Sequence, residues 1–177
     1  MVDAKGLHGL SCKRSAPLQI RHAQMNDIIW RSVKKAQNPA VKEPVGLSRS
    51  DGKRLDEATM IPWTRGKPLA WNVTIPDTCA NSYIGETSTR ATEAADRAAE
   101  NKTTKSTDLA KTHHFVPIAI ETGSAWNELA LEFITDLGRR ISGVIQEPRE
   151  TQFLFQRLSI SLQRGNEVAF KNTFSSE

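Results

Sequence analysis

A chain of 177 residues is long enough for one domain with its own core. Hydrophobic residues make up 38% and charged residues 25%, which reads as globular but polar, and the longest apolar run, Phe115–Ile120, is far too short to span a bilayer. The net charge of +4 suits a nucleic-acid partner and equally suits a solvated basic surface. The cysteines Cys12 and Cys79 are too few for a disulfide scaffold, so a reducing, intracellular setting is expected. No signal peptide opens the sequence, and the Asn72-Val73-Thr74 and Asn101-Lys102-Thr103 triplets are therefore discounted as glycosylation sites.

In chain order, residues 1–20 are basic and show no sustained period. From His22 onward, Met25, Ile28, Ile29, Val33 and Ala36 recur at helical spacing, and Asn38-Pro39 ends the pattern. Residues 43–75 read as a strand meander. A short strand is expected in the Glu43–Leu47 stretch, turn chemistry at Ser50–Gly52, then two β-like runs joined by a hairpin at Thr64–Lys67. Residues 85–111 predict a helix with a small-residue stripe at Ala91, Ala94, Ala95, Ala98 and Ala99, able to lie close against a sheet. His114–Thr122 is a buried-strand candidate. The clearest helical period follows, from Trp126 to Ile145, and it breaks at Gln146–Glu150. In the last segment, Leu154, Leu158 and Leu162 favour a helix, while the alternation in Arg157–Gln163 favours a strand. The expected fold is α/β, with a single mixed sheet of about four strands flanked by helices.

Glu43, Asp56 and Asn72 raise the question of a metal-dependent nuclease. Such an enzyme needs two or three oxygen ligands converging on one magnesium ion, which polarises the phosphate and activates water. An acid at the start of a hairpin and a ligand on its partner strand can face the same side, and Asp56 and Asn72 have that spacing, with Asp77 as a possible extra ligand. The same spacing also fits an exposed turn acid beside Lys53 and Arg54.

The ordered set of His8–Ser15, Ile20–Ser32, Glu43–Trp63, Pro68–Thr78, His113–Thr122 and Phe153–Asn166 resembles one protein family. It is similar to the restriction-like endonuclease region, of the PD-(D/E)XK class, at the C-terminus of non-LTR retrotransposon reverse transcriptase polyproteins. The resemblance covers nearly the whole chain. It implies a restriction-endonuclease-like core of helix, strands, helix and strand, followed by C-terminal helices. It also implies an activity, nicking target DNA so that the freed 3′-hydroxyl primes reverse transcription.

By position, Asp56 matches the family's first catalytic acid, with Leu55 in place of the usual proline. Asn72 falls where the family has aspartate, so the second ligand carries no negative charge. Lys102 and Lys105 match the lysine region that orients water or stabilises the phosphate, with Ser106 at the expected tyrosine and Thr74 at the lysine position of the textual motif. Glu43 resembles an upstream acid that could join Asp56 and Asp77 around magnesium. Arg21, Lys53, Arg54, Arg65 and Lys67 are the expected DNA-binding residues. His8 and Cys12 form half of a zinc knuckle whose cysteines would lie upstream of Met1, so tight zinc binding is not expected.

The resemblance thus divides the chain into a poorly ordered knuckle remnant at 1–20 and an endonuclease-type domain at 21–177. It implies a truncated copy that depends on magnesium if active, binds DNA and no membrane, and works in the nucleus if functional. Catalysis weakened or lost at Asn72 is the leading expectation. The alternatives are a non-catalytic DNA-binding remnant and a decayed gene product.

Overall fold

A computed structural model describes residues 16–47 and 55–174. The knuckle half-site His8 and Cys12, and the basic residues Lys53 and Arg54, lie outside the described residues.

The first helix, α1, spans Ala16–Lys35, so it begins before the expected boundary at residue 20. Its apolar stripe, Met25, Ile29 and Val33, is fully buried. It stops before Pro39, with Gln37 in the left-handed region at φ 58°. The edge strand β1 is Ala40–Lys42 rather than the expected Glu43–Leu47 stretch. The cause is local. Glu43 and Gly46 both have positive φ, which ends extended backbone at Lys42.

Strands β2 (Glu57–Thr64) and β3 (Lys67–Thr74) form the expected hairpin. Its turn puts Arg65 at φ 47° and Gly66 at φ 75°, the left-handed pair that a two-residue loop requires. Between β3 and β4 (His114–Ala119) the chain crosses over through three helices. These are α2 (Ile84–Thr87), α3 (Glu93–Thr104) and α4 (Leu109–Thr112). The single helix expected over 85–111 is thus broken, first before Thr92, at φ 79°, and again after Thr104. Helix α5 spans Glu128–Ile145 and is capped by Asn127, whose Oδ1 accepts from Ala130 N at 3.0 Å. The last segment is helix α6, Glu150–Phe174, which settles the helix-or-strand question there. Four-residue spacing prevails because Leu154, Leu158 and Leu162 all enter the same core.

The sheet is mixed, in the order β1-β2-β3-β4. β1, β2 and β3 pair antiparallel, and β3 pairs parallel with β4. One face carries Leu69, Trp71, Val73, Val116 and Ile118, packed against α1, α5 and α6. The opposite face carries Ala58, Ala70 and Ala119, small residues that let α3 and α4 approach closely through Ala95, Ala99 and Leu109. Alternation along the strands therefore decides which helix each polar side chain meets. No helix among the described residues is long and apolar enough to cross a membrane.

Candidate functional site

The site lies at the end of the sheet where β2 begins and β3 finishes. Asp56 immediately precedes β2, and its Oδ2 accepts from the Val73 N–H at 2.7 Å. The carboxylate thus stands in for a backbone acceptor at the end of the ladder. His22 on α1 reaches the same place, with Nε2 3.0 Å from Val73 O and 3.4 Å from Asp56 Oδ2. Both neighbours are acceptors, so Nε2 carries the proton and donates to Val73 O. Burial acts to raise the Asp56 carboxyl, but hydrogen bonds from His22, Val73 N–H and Asn26 outweigh it and hold the group below the usual carboxylate range. The hydrogen bond to Asp56 raises the His22 imidazole above its ordinary value, against the opposing effects of burial and of Lys102.

Beside this pair is a cleft of about 230 Å³, lined by Leu18, Arg21, His22, Val73, Thr74, Ile75 and Lys102. Among the described residues two larger hollows lie against α3 and between α1 and α6, but neither is lined by His22 or Lys102. The chemistry of its residues, not its size, singles out the small cleft. Three elements meet there: α1 brings His22, β3 brings Val73 and Thr74, and α3 brings Lys102, while Asp56 lies behind His22 as its acceptor.

The other expected site residues are placed differently. Asn72 shares a face with Ala70, on the α3–α4 side of the sheet, opposite Pro117 of β4. It is buried, and its Oδ1 has no hydrogen-bond partner. The Asp56 carboxylate is turned toward α1 instead, so the two side chains do not converge on one side as their spacing suggested. The bend before β2 explains this, because it releases Asp56 from the alternation of the strand. Glu43 is exposed, and its backbone N–H donates to Asp56 O at 2.7 Å. Asp77 is buried, and its Oδ1 accepts from Cys79 N and from Thr122 Oγ1, both at 3.1 Å, so it closes a turn instead of facing the cleft.

Arg21 borders the cleft but is not a surface cation. It is 2% exposed and donates to Asn166 Oδ1 at 2.6 Å, with its stem packed over Gly165. Burial lowers its pKa. Lys105 is exposed at the C-terminal end of α3, and Ser106 is buried. Arg65 is exposed in the hairpin turn, and Lys67 Nζ donates to Ala110 O at 2.7 Å.

A magnesium site needs several oxygen ligands and usually more than one negative charge. Asp56 offers a single carboxylate whose Oδ2 already accepts from Val73, while the Asn72 oxygen lies toward the other face. Among the described residues no three His, Cys, Asp or Glu side chains group closely enough to hold a metal ion. The residues present do not fit a complete magnesium centre.

Four residues escaped the sequence reading. His22 and Asn26, four apart on α1, both meet Asp56, and their polarity within the apolar stripe was the available signal. Glu57 is buried on β2, with burial and the neighbouring Asp56 pushing its carboxyl up to about 8. Glu121 is buried, and its Oε1 accepts from Ala94 N at 3.0 Å and Ala95 N at 3.2 Å, tying the start of α3 to the end of β4. No sequence signal separates these two acids from surface glutamates. The chain matches no protein-family model and no curated protein.

Proposed function

We propose that this chain is a restriction-like endonuclease domain of non-LTR retrotransposon origin that binds DNA but does not cleave it, because position 72 carries no charge and faces away from Asp56. The carrying observation is the meeting of Asp56, His22 and Lys102, from three separate elements, at one end of the sheet. The sequence resembles the family at Asp56 as a catalytic acid and at Lys102 and Lys105 as phosphate-side lysines, and Lys102 lines the cleft while Lys105 is exposed at the end of α3. Asp56 and Lys102 are 46 residues apart, yet Lys102 lines the cleft beside the residue that holds Asp56. The order helix, strands, helix, strand supports the same reading. Asn72, buried on the face opposite the Asp56 carboxylate, supports its disabled state. The test combines duplex-DNA binding with plasmid nicking. Binding without cleavage in the parent, and still without cleavage in Asn72→Asp, is the expected result. Absence of DNA binding, or nicking by either protein, would refute the proposal.

A further inference from the structure

Helix α3 starts near Glu121, at the C-terminal end of β4, and delivers Lys102 to the cleft beside Thr74. The chain then returns to the N-terminal end of β4, passing Lys105 and Lys111, both exposed. There Lys67 Nζ, donating to Ala110 O at 2.7 Å, fastens the β2–β3 hairpin to α4. Arg65 is exposed at the hairpin tip. His114, opposite Leu69 in the parallel register, lies beside this group. Burial first, and then the charges of Arg65 and Lys67, lower its pKa, so it is not counted as a cation. Acids near this group include Asp108, which is paired with Lys111 at 2.7 Å, and Asp136, whose charge acts on His114 against those of Arg65 and Lys67.

Strand β3 measures the distance between the two groups. Its 8 residues run from Lys67, at the hairpin, to Thr74, at the cleft, a span of about 23 Å at ~3.3 Å per residue. Duplex DNA advances ~3.4 Å per base pair, so this is roughly the length of seven base pairs.

We propose that Lys102, Lys105, Lys111, Lys67 and Arg65 form one track for the phosphate backbone of duplex DNA, leading from the cleft at Asp56 to the β2–β3 hairpin. The proposal rests on the endonuclease reading for the cleft end of the track, and it adds the path and the extent of the contact. Positive charge in this arrangement supplies sequence-independent affinity, positioning a duplex without reading its bases.

The experiment is fluorescence anisotropy with a 16-base-pair duplex, in chelator and without divalent metal, over a salt series. Each phosphate contact contributes about 0.9 to the slope of log affinity against log salt. The triple variant Arg65→Gln, Lys105→Gln, Lys111→Gln should flatten that slope by about 2.7, and Arg65→Gln alone by about 0.9. Arg164→Gln on α6 should leave it unchanged. An unaltered slope in the triple variant, or no salt-sensitive binding by the parent, overturns the track. Tighter binding of single-stranded RNA than of duplex at equal salt overturns the choice of DNA. Salt-sensitive binding without nicking but with an unaltered slope sinks the track alone, and a flattened slope together with nicking by the parent or Asn72→Asp sinks the non-cleaving reading alone.

Discussion

His22 on α1 and Asp56 at the start of β2 are held 3.4 Å apart, with the same imidazole nitrogen 3.0 Å from Val73 O. One side chain thus joins the first helix to both strands of the hairpin. The raised His22 contributes stability that is complete below its ordinary pKa of 6.5 and is lost as pH rises through its higher folded value. The lowered Asp56 contributes stability that is present above 3.8 and is lost as pH falls through its lower folded value. The pair therefore supports the fold most between about pH 4 and 6.5. His22→Asn should remove its share of the alkaline decline, measured as urea-unfolding free energy at pH 5 and pH 8.5.

Glu57 gives a second and separable pH effect. It is buried opposite Trp71, with Oε2 unpartnered, beside the ionised Asp56. Its carboxyl titrates near 8 in the folded protein, against 4.5 ordinarily. Stability conferred by the protonated form is complete below 4.5 and is lost as pH rises to about 8. Glu57→Gln keeps the shape and removes the titration. It should raise stability at pH 8 by on the order of a few kcal/mol relative to the parent, and change it little at pH 4.5. Equal effects at both pH values would mean that Glu57 is ionised inside the fold.

Two glycines on α5 make a steric prediction. A Cβ on Gly138 would lie 2.6 Å from the backbone of Thr151 on α6, whereas a Cβ on Gly143 meets nothing within 4 Å. Gly138→Ala should destabilise by about 1–3 kcal/mol through overpacking. Gly143→Ala should stabilise by roughly 0.5–1 kcal/mol, since helical alanine loses less chain entropy than glycine. Thermal unfolding of the pair provides the comparison.

Glu121 links the strand that ends the sheet to the helix that carries Lys102. Glu121→Ala leaves the first amides of α3 without their buried acceptor and should cost about 2–3 kcal/mol. Hydrogen exchange should then speed up first at Ala94 and Ala95, not uniformly over the sheet.

Much of this architecture was legible in the residues. The stripes of α1 and α5, the hairpin at Arg65–Gly66 and the buried strand at β4 follow from periodicity and turn chemistry, which are local. Two features were not local. Leu154, Leu158 and Leu162 could serve a helix or a strand until packing against α5 decided. Asp56 and Asn72 could share a side until the bend before β2 turned one carboxylate to α1. The meeting of His22 with Asp56, 34 positions apart, depends on how α1 docks on β3, and spacing along the chain does not encode that.

A nuclease-like face whose two ligand positions point to opposite sides of the sheet should bind DNA without cutting it. The most direct test is nicking of supercoiled plasmid in magnesium or manganese by the parent, Asn72→Asp, and Asn72→Asp combined with Asp56→Ala, beside duplex-DNA binding by the parent. Salt-sensitive binding by the parent, with cleavage at background in all three proteins, is the predicted result. Nicking by the parent or by Asn72→Asp that disappears with Asp56→Ala would contradict it.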